Sequence, residues 1–348
     1  TDSIHFYFNV MDQRARNSVA MDALLEGLRV WDRDVNRYLT SNRVPLYNPV
    51  EEYLYGTGHW DGKDRIRALA DLVPCNNQYW RELFYRWFLG MVAHWRGMDR
   101  QHGNNTSPLL VGSQGFRKST FCRILLPPEL RFGYTDSIDF KSKQEAERSL
   151  GRFFLINIDE FDQINANQQG FLKHLLQKPV ANLRKPYGST IQEMRRYASF
   201  IGTSNLKDLL TDPSGSRRFI CIEVTGPIQT NVTINYHQLY AQAMHDIMKG
   251  ERYWLDDTDE AIVKEYNREF ERVDPLEELF LCHFRGAEES EEGEWLTAMQ
   301  IFNDLQQKTR DKLAINRIAA FGRTLRKLDI LNKKSNRGTL YHLVRIEE

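Results

Sequence analysis

Cysteine is scarce. The four present, Cys75, Cys122, Cys221 and Cys282, lie far apart and form no C-x-x-C pair. That argues against a disulfide framework or a zinc site, and a reducing cytoplasm is the expected compartment. Long apolar runs are missing too. None approaches the roughly 20 residues that a membrane-spanning helix needs, so no membrane partner is expected. Net charge is absent, with 47 Lys+Arg against 47 Asp+Glu, and local patches of charge must identify any partner instead. There is no internal repeat and no long low-complexity tract. The chain opens on Thr1 rather than methionine, so a fragment is expected and an upstream targeting segment is left open.

What the chain does hold is enough apolar material, 41% with 12% aromatic, for ordinary packed cores. Residues 1–105 predict a helical N-terminal region, a candidate oligomerisation collar. Its aromatic stretch from Tyr79 to Phe88, continuing to Trp95, has helical spacing. Residues 106–250 alternate short unbroken apolar runs (108–111, 153–158, 199–203 and 219–224) with polar helical segments, the pattern of a parallel sheet covered on both faces. The expected class is therefore α/β, with a parallel-sheet core. Residues 251–285 predict a helical connector. Residues 286–348 begin with an acidic linker and then turn basic, with eleven Lys and Arg against three Asp from Trp295 to Arg345. Short helices followed by a hairpin through Asn336-Arg337-Gly338 predict a winged-helix-like DNA-binding module.

The run Leu109-Leu110-Val111 leads into Gly112-Ser113-Gln114-Gly115-Phe116-Arg117-Lys118-Ser119-Thr120. A strand, a glycine-bearing loop and a helix start make an anion site, because backbone N–H groups and the helix dipole converge on phosphate. The motif adds a lysine for the β- and γ-phosphates, here Lys118, and a hydroxyl for Mg²⁺, here Ser119. ATP and Mg²⁺ are thus the expected cofactors. Arg117 stands where the second glycine is expected. It should take a helical conformation with its side chain outward, while Gly115 supplies the flexibility.

A second apolar run ends in Asp159-Glu160. Asp159 is the candidate magnesium ligand and Glu160 the candidate general base, although strand-end acids also cap helices. A third run ends in Thr203-Ser204-Asn205, where Asn205 is placed to contact the γ-phosphate or the attacking water. Arg217 and Arg218 lead into the fourth run and are candidates for an arginine that reaches a neighbouring subunit's nucleotide.

With these residues in view, the chain resembles the virulence-associated protein E family of phages and mobile elements. The resemblance rests on Asn48-Pro49-Val50-Glu51-Glu52-Tyr53-Leu54, Trp60-Asp61-Gly62-Lys63-Asp64-Arg65-Ile66, the loop 111–120, Arg184-Lys185-Pro186-Tyr187-Gly188, the 200–205 run and Gly215-Ser216-Arg217-Arg218-Phe219. It implies a P-loop core of the AAA+ or superfamily-3 helicase kind. It also implies a homo-oligomeric ring, with a hexamer as the expected form, acting on single-stranded or forked DNA during replication. By the match, Lys118 and Ser119 take the nucleotide and metal roles. No primase motif is present, so any primase would be a separate partner.

Two basic regions are candidates for DNA contact. Arg184, Lys185, Arg195 and Arg196, with Lys173 and Lys178 nearby, predict a hairpin facing a central channel. Arg317, Arg323, Arg326 and Lys327 on a predicted helix over 315–330, with Lys333, Lys334 and Arg337 at the wing, form the second. The leading function is a DNA-dependent ATPase, with a helicase the expected kind. The alternatives are an ATP-binding initiator or scaffold that hydrolyses little, and an ATPase that remodels protein in phage defence.

Overall fold

The computed structural model describes residues 11–45, 47–98, 102–184, 191–211, 213–272, 275–288, 290–309, 318–328, 330–336 and 338–346. They form two compact units, 1–271 and 272–348.

The first unit begins with α1 (Gln13–Leu25) and α2 (Asp32–Leu39), followed by α3 (Pro49–Gly56), α4 (Arg65–Ala70) and α5 (Trp80–Arg96). Helix α3 starts cleanly because the Asn48 side chain accepts from the N–H groups of Val50 and Glu51 and Pro49 occupies its first turn. Helix α5 is buried nearly all round, which is why its sequence is apolar on every face. It stops at Gly97, whose left-handed φ of 79° lets its N–H return to Ala93 and His94.

Next come β1 (Ser107–Val111), α6 (Lys118–Ile124), β2 (Tyr134–Thr135), α7 (Lys143–Arg152) and β3 (Leu155–Ile158). They are followed by α8 (Ala166–Gln177), β4 (Val180–Arg184), β5 (Ile191–Arg195), β6 (Ser199–Ser204), β7 (Phe219–Glu223), α9 (Tyr236–Lys249) and α10 (Asp257–Asn267). Five strands make one parallel sheet in the order β2-β3-β6-β1-β7, while β4 and β5 pair only with each other, antiparallel. The parallel sheet expected from unbroken apolar runs is therefore present. Alternate residues of each strand feed two cores: Leu110, Leu155, Ile201, Ile220 and Ile222 on one face, Leu109, Ile156, Phe200, Phe219 and Cys221 on the other.

Helices α3, α4 and α5 do not stand apart from the sheet. Trp87, Phe88 and Trp95 of α5 share one core with Phe121 of α6, Leu110 of β1 and Tyr240 of α9. The expected connector is also divided. Helix α10 belongs to the first unit because the buried Asn267 amide donates to the carbonyls of Ser216 (2.8 Å) and Phe219 (2.7 Å) and accepts from the Cys221 N–H (3.2 Å).

The second unit runs α11 (Pro275–His283), β8 (Phe284–Gly286), β9 (Glu294–Thr297), α12 (Ala298–Thr309), α13 (Ile318–Lys327), β10 (Asn332–Ser335) and β11 (Gly338–Arg345). Strand β11 pairs antiparallel with β8, β9 and β10. Phe280, Ile301, Phe302, Phe321, Leu325 and Tyr341 fill the core beneath this sheet.

Candidate functional site

The strand order puts the ends of β3, β6 and β1 side by side, with β6 in the middle. Each carries one of the polar groups expected to work together. After β1 the chain turns at Gly112, whose N–H donates to Ser204 O at 3.1 Å. A Cβ there would stand 2.7 Å from Val224 O, so only glycine fits this close approach. The loop reverses through Gly115, at φ 86°, and Arg117, at φ 60°.

Arg117 departs from expectation. Its side chain is exposed, but its backbone is left-handed (ψ 29°), not right-handed helical. The loop needs that turn to aim the start of α6, and a non-glycine residue there carries about 1–2 kcal/mol of strain.

Lys118 follows as the first residue of α6. It is only 7% exposed, and Nζ donates to Gly112 O (2.6 Å), Ser113 O (2.9 Å) and Asn205 Oδ1 (3.1 Å). Burial lowers its pKa, while the carboxylates of Asp159 and Asp162 push the other way. Next to it, Ser119 Oγ donates to Asp159 Oδ1 at 2.9 Å. The structure thus brings the four residues together as two bonded pairs, Lys118–Asn205 and Ser119–Asp159, side by side at the start of α6. Ser113, Gln114 and Thr120 are exposed around it and Phe116 is half-buried.

Glu160 is exposed and, like Arg117, left-handed (φ 53°). Its carboxylate accepts from Gln163 Nε2 at 2.6 Å. Non-glycine residues held in this conformation cluster at functional sites.

Two participants escaped the sequence reading. Thr203 donates to Asp159 Oδ1, and Asp162 accepts from Ser204 Oγ (2.8 Å) and from the Asn205 N–H (3.4 Å). The only signals were the third acid in Asp159-Glu160-Phe161-Asp162 and the hydroxyls that end an otherwise apolar strand.

No group of three or more His, Cys, Asp or Glu side chains that could hold a metal occurs among the described residues. A hard cation bound mainly by phosphate, with one carboxylate and one hydroxyl from the protein, fits Ser119 and Asp159, both exposed at the loop mouth.

Arg217 and Arg218 lie at the other end of the sheet. Phe219 pairs with Ser107 and Glu223 with Val111, so four residues, about 13 Å of strand, separate the start of β7 from the level of the loop. Arg217 pairs with Glu260 of α10 at 2.7 Å. Arg218 is half-buried.

The proposed channel-facing cluster needs correction. Arg196 is 1% exposed, and its guanidinium donates to Ala198 O (2.7 Å), Leu176 O (2.7 Å), Lys178 O (3.2 Å) and Asn104 O (2.9 Å). It holds strand and helix ends together inside the fold. Arg195 also turns inward, its Nη2 donating to His94 O (2.6 Å) and Trp95 O (2.9 Å) at the end of α5. Lys173 is buried and Lys178 is paired with Glu147. Lys185 lies outside the described residues, as does the side chain of Arg184.

In the second unit, Arg326 of α13 and Lys333 and Lys334 of β10 are exposed. The Lys333 ammonium stands 3.7 Å from the Trp295 ring centroid. Arg317, Arg337 and the side chains of Arg323 and Lys327 lie outside the described residues.

The 60–66 stretch proves to be a structural clamp. Gln242 of α9 accepts from the N–H groups of Arg65 (2.6 Å) and Ile66 (3.1 Å) and donates to Asp64 (2.8 Å), while Asp61 grips Arg65.

The fold and site define a mixed α/β protein whose five-stranded parallel sheet gathers a buried lysine, a hydroxyl–carboxylate pair and an asparagine at adjacent strand ends. A profile of the virulence-associated protein E-like domain matches residues 54–272, well over half of the chain. The chain belongs to that family. A second profile, for a domain of unknown function from B. theta, matches residues 274–343, nearly all of the second unit. No curated protein matches the chain. Among solved structures, the A form of the apo NrS-1 C-terminal region is similar at 13% identity and a TM-score of 0.43, covering 84% of this chain and 78% of that one. Another apo structure of that region gives 13% and 0.41, with 87% and 77% covered. Likeness at that level leaves the function to the site itself.

Proposed function

We propose that the chain is a P-loop ATPase of the AAA+ or superfamily-3 kind, working on DNA as a homo-oligomeric ring in the replication of a phage or mobile element. One observation carries this reading. Lys118, buried at the head of α6, is tied to Asn205 (3.1 Å), while the adjacent Ser119 is tied to Asp159 (2.9 Å). A lone surface lysine would not be buried against carbonyls. A lysine set to receive phosphate would be, exchanging Asn205 and the loop carbonyls for phosphate oxygens. In this reading the 112–120 backbone cradles the phosphates and Ser119 and Asp159 hold Mg²⁺. Glu160 takes the proton of the attacking water, and Asn205 contacts that water or the γ-phosphate.

The position of Arg217 and Arg218 supports the ring. They lie at the end of the sheet away from their own loop, a position that suits a neighbour's nucleotide better than their own, with Arg217 paired to Glu260 within the chain. The second unit, with two helices before a β10–β11 hairpin that carries Lys333 and Lys334, supports a winged-helix DNA contact.

A second reading has its own observation. Arg117 occupies a strained left-handed position, which favours an ATP-binding switch or initiator that hydrolyses little. Turnover measured with and without single-stranded DNA separates the two. DNA-stimulated hydrolysis that disappears in Lys118→Ala supports the ATPase. A slow, DNA-insensitive rate supports the switch, and absence of ATP binding removes both.

A further inference from the structure

Strand β3 is apolar except at Asn157, which is fully buried at 0% exposure. Among the described residues neither side-chain atom of Asn157 has a hydrogen-bond partner. An unpaired buried amide is a costly occupant of a strand interior and calls for an explanation. Its neighbours supply one. Asn157 pairs in register with Ile201 of β6, and two residues farther along stand Asp159, in the turn just past the end of β3, and Thr203 of β6. Thr203 and Ser119 both donate to Oδ1 of Asp159, and among the described residues Oδ2 accepts no hydrogen bond. Asn157 and Asp159 are two residues apart, about 6.6 Å if the chain stays extended one residue past β3, a gap that one water can bridge. Tyr134, half-buried on the neighbouring strand β2, comes near the amide. The Tyr134 phenol stands close enough for the amide to act on its pKa, against the larger effect of burial, which raises it, but outside hydrogen-bonding geometry.

We propose that Asn157 is a positioning residue for the Ser119–Asp159 pair, its amide donating to Oδ2, directly or through one water, when a divalent cation is held there. This rests on the nucleotide reading of the Lys118 loop. The amide lowers the stability of the free protein and holds the carboxylate in the orientation the cation needs. Partners of this kind, one step removed from a metal, typically govern its affinity about 10–100-fold.

The test uses the full chain with ADP, titrated with Mn²⁺ and followed by electron paramagnetic resonance, together with thermal unfolding of the metal-free protein. Asn157→Leu is expected to weaken Mn²⁺ binding about 10–100-fold while raising the unfolding temperature by about 2–4 °C. Asn157→Val, smaller and β-branched, decides the matter if the leucine variant does not fold. Unchanged Mn²⁺ affinity overturns the proposal, and so does a loss of affinity accompanied by a fall in unfolding temperature, which is a purely structural effect. Wild-type protein that binds no Mn²⁺ with ADP overturns the nucleotide reading itself.

Discussion

Arg195-Arg196 and Lys333-Lys334 look alike in the sequence, two basic pairs beside short β runs, yet the fold treats them in opposite ways. Arg196 is sealed inside the first unit with its donors spent on backbone carbonyls, whereas Lys333 and Lys334 stand exposed on β10. Lys118 and Arg117 repeat the contrast within one loop, the first buried and the second outward. A cation turned inward serves the fold or the site. A cation turned outward is available to a partner.

Substitutions can break or sharpen that contrast. The largest effect is expected at Lys118, where Lys118→Ala should lower ATP turnover by at least about a hundredfold, as removal of a charge-stabilising donor does, in a steady-state phosphate-release assay. Arg196→Ala comes next. It strands several buried carbonyls and should cost about 3 kcal/mol or more in urea unfolding. A cost below about 0.5 kcal/mol, the range of ordinary surface changes, would erase the distinction between the two pairs. Joint replacement of Lys333 and Lys334 by Ala should leave stability within that surface range. It should also reduce the dependence of DNA affinity on salt by about one unit of log–log slope per lost phosphate contact, read by fluorescence anisotropy at several salt concentrations. An unchanged slope would deny β10 a role in DNA contact. The smallest shift is expected from Arg117→Gly, which relieves a left-handed backbone at some entropic cost. It should stabilise the protein by about 0.5–1 kcal/mol in the same unfolding assay.

Much of this was legible without coordinates. The unbroken apolar runs marked β1, β3, β6 and β7, and glycine spacing marked the loop between β1 and α6. The acids at the end of β3 were visible because two carboxylates close an apolar strand. Thr203 and Asp162 were not, because their importance comes from the crossover that lays β6 between β1 and β3. The division at residue 271 was hidden for a similar reason, since Asn267 reads as an ordinary helix residue until its amide meets the backbone of Ser216 and Phe219.

Local sequence determined the strands, the caps and the glycine turn, because these depend on backbone sterics and on neighbours within a few residues. Only the tertiary structure decided which charges face inward, which strand ends meet and which arginines lie far from the loop. Those outcomes depend on the order in which distant segments pair, and charge carries the same letter in the sequence whether it ends in water or against a buried carbonyl.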